Sequence, residues 1–189
     1  MKTIKLYSYS ELNTEAQEKA QKIIMQDIAD DPYLMESNYH EMKESMQAIA
    51  TASGVKTLDY EYGVHCHGSK WKIAGYWIDE HLKGNKALAH FLNVLIKAGY
   101  ERPRHFLEMK FPGICGFTGM GYDDCICESI WDSLLQGETI KTAFNLAADE
   151  ICRILEEEWE WFTEPENVCF EEALNGGECF TKEGEKIDY

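Results

Sequence analysis

Basic residues nearly run out after residue 122. Residues 123–189 hold 4 Lys and Arg against 19 Asp and Glu, whereas residues 1–122 hold 14 against 15, so the net charge of −16 is concentrated in the C-terminal third. Such a field repels phosphate backbones over about a Debye length and speeds encounter with basic protein surfaces. It argues against direct nucleic-acid binding and for a protein partner, beside the plainer effect of acidity on solubility. Proline is scarce as well, at 4, and with 44% apolar and 12% aromatic residues this excludes a largely disordered chain. No run of 18 apolar residues occurs, and residues 1–7 contain no apolar signal region, which predicts a cytoplasmic protein that is neither secreted nor membrane-spanning. Seven cysteines, an odd number, argue for reduced thiols and against a disulfide framework.

What is present predicts one domain of 189 residues, near-neutral over 1–122 and strongly acidic over 123–189. Asn13 can cap a helix over residues 14–30 that places Ala16, Ala20, Ile23, Ile24 and Ile28 on one face. A second helix, 36–52, carries a core stripe of Met42, Met46 and Ile49 and ends at Gly54. Alternation from Val55 to Val64 and again from Trp71 to Ile78 predicts a hairpin turning near residues 67–70. An apolar helix over 85–98 and a strand over 105–111 follow.

Residues 112–121 carry four glycines, so the backbone there must turn or approach something closely; no Lys-Ser/Thr pair follows, and Asp123 and Asp124 disfavour phosphate. The longest helix spans 139–162, with a stripe of Ile140, Phe144, Ala147, Ile151, Ile154 and Trp161. A short helix near 167–174 and a small strand or hairpin at 179–181 close the chain. Strands mostly separate from helices in order predict an α+β fold, a small antiparallel sheet packed with several helices and an acidic C-terminal helical region.

The opening Tyr7-Ser8-Tyr9-Ser10-Glu11-Leu12-Asn13-Thr14-Glu15-Ala16-Gln17-Glu18-Lys19-Ala20 resembles that of a family of small phage- and prophage-encoded proteins described as antitoxin-like. Gly121-Tyr122-Asp123-Asp124-Cys125, opening a helix, and Phe180-Thr181-Lys182-Glu183-Gly184-Glu185-Lys186 are similar to that family's middle and end. The resemblance implies a mobile-element setting in a bacterial cytosol, where small acidic proteins block host defence complexes, as anti-CRISPR proteins do. It implies no catalytic residue. His65-Cys66-His67 departs from the family's glycine- and aspartate-containing pattern at that point.

His65 and His67 project to one face of an extended segment, and with Cys125 and Cys127 they form a candidate structural zinc site, Cys115 being the substitute ligand. On a helix, thiols two residues apart diverge by about 200°, so the site needs an extended or turn conformation at 125–127. The competing reading makes the cysteines buried hydrophobes and the histidines hairpin residues. Glu108-Met109-Lys110 on a strand is the acid-x-Lys half of a metal-dependent nuclease site, but no Pro-Asp element accompanies it, and no G-x-S-x-G element occurs.

The crowding of Glu156, Glu157, Glu158 and Glu160 at a helix C-terminus opposes the macrodipole, so local helix stability does not explain it, and the mismatch favours a binding role for the acids. The expected function is a non-enzymatic inhibitor docking these acids onto a basic host surface such as the guide and target channel of an RNA-guided nuclease. The aromatic set Tyr60, Tyr62, Trp71, Tyr76 and Trp77 is the alternative docking face. The competing classes are a metal-dependent enzyme acting on nucleotides or nucleic acid, and a small-molecule-sequestering protein using Arg102, Arg104 and Lys110.

Overall fold

The computed structural model of the chain describes residues 5–31, 34–61, 70–111, 113, 116–119, 121–168 and 179–187. The fold is α+β: five helices and one two-stranded antiparallel sheet among the described residues. It divides into two compact units, one formed by Met1–Leu34 with Glu158–Tyr189 and the other by Met35–Glu157. The step in charge at residue 122 does not coincide with either unit boundary.

The unit containing both chain ends is built on α1 (Thr14–Asp30). A single 3₁₀ turn, Tyr9–Glu11, precedes it, closed by the Ser8 amide donating to Glu11 Oε2 at 2.8 Å. Asn13 Oδ1 then accepts the Ala16 amide at 3.0 Å, satisfying an otherwise orphaned helix donor. Ala16, Ala20 and Ile24 are buried with Leu12 and Phe180; Ile23 and Ile28 are only half-buried. Phe180 is held by a reciprocal pair of 3.0 Å backbone bonds with Tyr7, and burying its ring contributes about 1.5–3 kcal/mol. The tail is thus the expected small β element, reduced to isolated bridges from Phe180 to Tyr7 and Lys186. Most of the helix expected near 167–174 lies outside the described residues.

In the larger unit, α2 (Glu36–Ala52) buries Met42, Met46 and Ile49 completely, the expected core stripe. It packs against β1 (Val55–Glu61), which pairs antiparallel with β2 (Lys70–Tyr76) from Val55↔Tyr76 to Glu61↔Lys70, with register shifts after Lys56 and Thr57. The hairpin turn lies outside the described residues. Helix α3 (Gly84–Lys97) buries Leu88, Phe91, Leu92 and Leu95, and α4 (Tyr122–Leu135) packs against both α2 and α3. Helix α5 (Ile140–Thr163), which belongs to this unit up to Glu157 and to the other from Glu158 on, starts where Thr139 Oγ1 accepts the Thr142 amide at 3.1 Å, and Phe144 meets Phe91 edge-on with centroids 6.4 Å apart.

Two expectations are corrected. The predicted strand over 105–111 is a 3₁₀ turn, Phe106–Glu108, followed by irregular chain: His105 Nδ1 accepts the Leu107 amide, Phe106 packs edge-on against Trp131 with centroids 5.9 Å apart, and among the described residues the sheet holds β1 and β2 without a third strand to pair with it. Glu108 and Lys110 are therefore exposed residues of a turn and its exit, not neighbours on one strand face. The apolar stripe of α5 ends at Leu155 instead of running to Trp161, whose side chain is 53% exposed.

Candidate functional site

The last turns of α5 carry the densest charge in the chain. Glu157 and Glu160 are exposed, and Glu156 and Glu158 are half-buried. Arg153, one and two turns earlier, forks between Glu150 and Glu157; its Nε donates to Glu150 Oε2 at 2.9 Å. These bonds hold the Glu150 carboxyl below the usual carboxylate range. No Lys or Arg follows Arg153 until Lys182 along the chain. Immediately beyond the acids, Trp161 and Phe162 are 53% and 37% exposed, their rings edge-on with centroids 5.1 Å apart. The sequence reading assigned Trp161 to the core because it falls seven residues after Ile154. The signal that corrects it is the aromatic neighbour at 162, since adjacent positions on a helix cannot both face one narrow stripe.

The glycine-rich segment has a structural explanation in Asp123 and Asp124, which sequence reasoning treated only as a repellent for phosphate. Both lie in the first turn of α4, where carboxylates complement the macrodipole. Asp123, fully buried, accepts the amides of Phe117 at 2.9 Å and Thr118 at 2.8 Å and the Thr118 hydroxyl at 2.9 Å. Ser45 Oγ of α2, also fully buried, meets the same hydroxyl at 3.1 Å. Asp124 accepts the Tyr100 hydroxyl at 2.5 Å and the Gly113 amide. Burial, then the bond to Asp124, pushes the Tyr100 phenol up. Gly116 passes so close to Ala98 that a Cβ would stand 2.3 Å from its carbonyl oxygen. The loop is stapled to the core through backbone amides, leaving those amides no role in cradling an anion.

Of the four expected zinc ligands, His65 and His67 lie outside the described residues, as does Cys115. Cys125 and Cys127 are both on α4 and do not converge: Cys125 is exposed and Cys127 is fully buried. Burial pushes the Cys127 thiol up, so it stays protonated in a setting that suits packing. Among the described residues, no group of three or more His, Cys, Asp or Glu could hold a metal ion. Of the alternative aromatic face, Trp77 is exposed at 68%, Trp71 and Tyr76 are half-buried, Tyr62 lies outside the described residues, and the backbone of Tyr60 stands opposite that of Trp71 in the β1–β2 register.

No family model, curated protein or solved structure matches the chain. No helix among the described residues is long and apolar enough to cross a membrane.

Proposed function

We propose that the chain is a non-enzymatic inhibitor of a nucleic-acid-targeting defence complex, docking the acidic end of α5 onto a basic surface such as the channel of an RNA-guided nuclease. The observation that carries this reading is the sequence Glu156 to Phe162 on one helix: four carboxylates followed by an exposed Trp161–Phe162 pair. Charge of one sign steers association with a Lys- and Arg-lined groove, and aromatic anchors supply the contacts that slow dissociation. Glu160 stands in the last turn of α5, where a carboxylate costs a few tenths of a kcal/mol against the macrodipole, which supports a role for it outside the helix. The phage setting implied by the opening, middle and closing blocks of the sequence, and a cytosolic location in the host, belong to the same proposal. Inhibition of this kind is stoichiometric and needs no catalytic residue.

Binding to purified RNA-guided nucleases, scored by loss of target cleavage as the inhibitor reaches one equivalent, tests it. Replacing Glu156, Glu157, Glu158 and Glu160 by lysine is expected to abolish binding, and replacing only the exposed Glu157 and Glu160 is expected to weaken it while far-UV circular dichroism stays unchanged, because exposed charges contribute little to stability. Binding that persists through the reversal at both low and moderate salt would remove the acidic helix from the interface.

A further inference from the structure

The chain has three arginines, and two of them flank a single cavity. Arg153 is consumed by Glu150 and Glu157. Arg102 and Arg104 are exposed and, among the described residues, neither has an ion-pair partner, although the chain holds 34 carboxylates and Glu101 and Glu108 are close in sequence. The cavity, about 540 Å³, lies between α3 and residues 102–106. Leu92 and Phe106 provide its apolar wall, and Asn93, Arg102, Arg104 and His105 provide its polar one. Phe106 is fixed by its edge contact with Trp131, and Leu92 is buried, so the apolar wall is preformed. His105 Nδ1 accepts the Leu107 amide, which leaves Nε2 to carry the proton and donate.

We propose that this cavity binds a nucleoside phosphate. Guanidinium forks match phosphate oxygens bidentately, and two of them line this one cavity together with an imidazole. The volume is in the range of small-molecule sites and well beyond one phosphate, the apolar wall suits a base or sugar, and the Asn93 amide can both donate to and accept from a base edge. The site lies wholly within the Met35–Glu157 unit and is independent of the docking reading.

Titration calorimetry of the full chain with AMP, ADP, GMP and inorganic phosphate tests it. Saturable binding of at least one nucleotide is expected, with inorganic phosphate at least about tenfold weaker. Arg102→Ala and Arg104→Ala should each weaken the nucleotide by about 10- to 100-fold, the worth of a hydrogen bond to a charged group. Arg102→Lys/Arg104→Lys should retain part of the affinity, and it guards against a folding defect in the alanine variants. The four-glutamate reversal on α5 should leave nucleotide binding unchanged, which separates the two readings. Absence of saturable heat with every nucleotide, unchanged affinity in the double alanine variant, or phosphate binding as tightly as nucleotide would overturn the assignment. Self-association lost in the alanine variant without nucleotide binding would instead assign the arginines to an acidic segment of a second copy.

Discussion

Asp123 takes both the amide and the hydroxyl of Thr118, at 2.8 and 2.9 Å, from a position with no solvent exposure. A buried carboxylate is costly unless its lone pairs are filled, and here the loop it faces fills them. The acid that opens α4 and the loop that precedes it are therefore one structural device, with Ser45 tying it to α2.

Removing that acceptor should be among the most damaging polar substitutions in the chain. Asp123→Ala takes the acceptor from two amides and leaves the Thr118 hydroxyl only Ser45 of the two partners, and is expected to cost about 2–4 kcal/mol, whereas Asp123→Asn keeps one acceptor oxygen and should cost less. Chemical denaturation gives both values. Hydrogen exchange at Phe117 and Thr118 should accelerate in the alanine variant before other amides do; equal acceleration throughout would show that the bonds do not hold the loop.

Three glycines should sort by what a methyl group meets. At Gly184, φ is +79° and a Cβ would stand 2.2 Å from the Ala16 carbonyl oxygen; at Gly116 it would stand 2.3 Å from that of Ala98. Backbone cannot retreat as a side-chain tip can, so each change to alanine is expected to cost more than about 2 kcal/mol. Gly121, with φ −61° and nothing within 4 Å, should accept alanine within about 0.5–1 kcal/mol in either direction. Thermal melts of the three variants make the comparison.

Stability should fall as the solution turns alkaline. The Cys127 thiol and the Tyr100 phenol are both held protonated by burial, while in the unfolded chain they ionise near 9 and 10. Above those values the unfolded state binds fewer protons than the folded one, so unfolding becomes easier as pH rises, by up to about 1.4 kcal/mol per unit for each group. The contribution is fully present below about pH 9. Melting temperature followed from pH 7.5 to 10.5 should decline, and the slope between 9 and 10 should be shallower in Cys127→Ala; an unchanged slope would show that this thiol is not the group responsible.

The zinc reading narrows to the exposed thiol of α4. Cys127→Ala is expected to leave the zinc content of tag-free protein unchanged while lowering stability by about 1 kcal/mol through lost packing. If His65 and His67 hold zinc, elemental analysis should find close to one equivalent, lost in the His65→Ala/His67→Ala variant and reduced in Cys125→Ala. A content near zero in the unaltered protein removes zinc from the account.

The helices were legible because their signals are local: the Asn13 cap, the Met42, Met46 and Ile49 stripe, the Lys97-Ala98-Gly99 stop and the alternation around β1 and β2 all depend on residues within a turn or two. The stretch at 105–111 was misread because strand identity needs a partner, and its apolar Phe106 found Trp131 instead. Trp161 was misread for the related reason that a periodic stripe does not say where its packing partner stops. Sequence by itself determined the helical skeleton, the acidic stretch on α5 and a glycine-rich segment at 112–121 that must turn or approach something closely; that Gly116 is the residue pressed against the Ala98 carbonyl is a tertiary fact. Only tertiary structure decided that Asp123 and Asp124 staple a loop, that Cys125 and Cys127 part company across α4, and that Arg102 and Arg104 share a cavity. Each of these depends on segments distant in sequence or on which side of a helix meets the core, and burial against a neighbour is a property no local pattern contains.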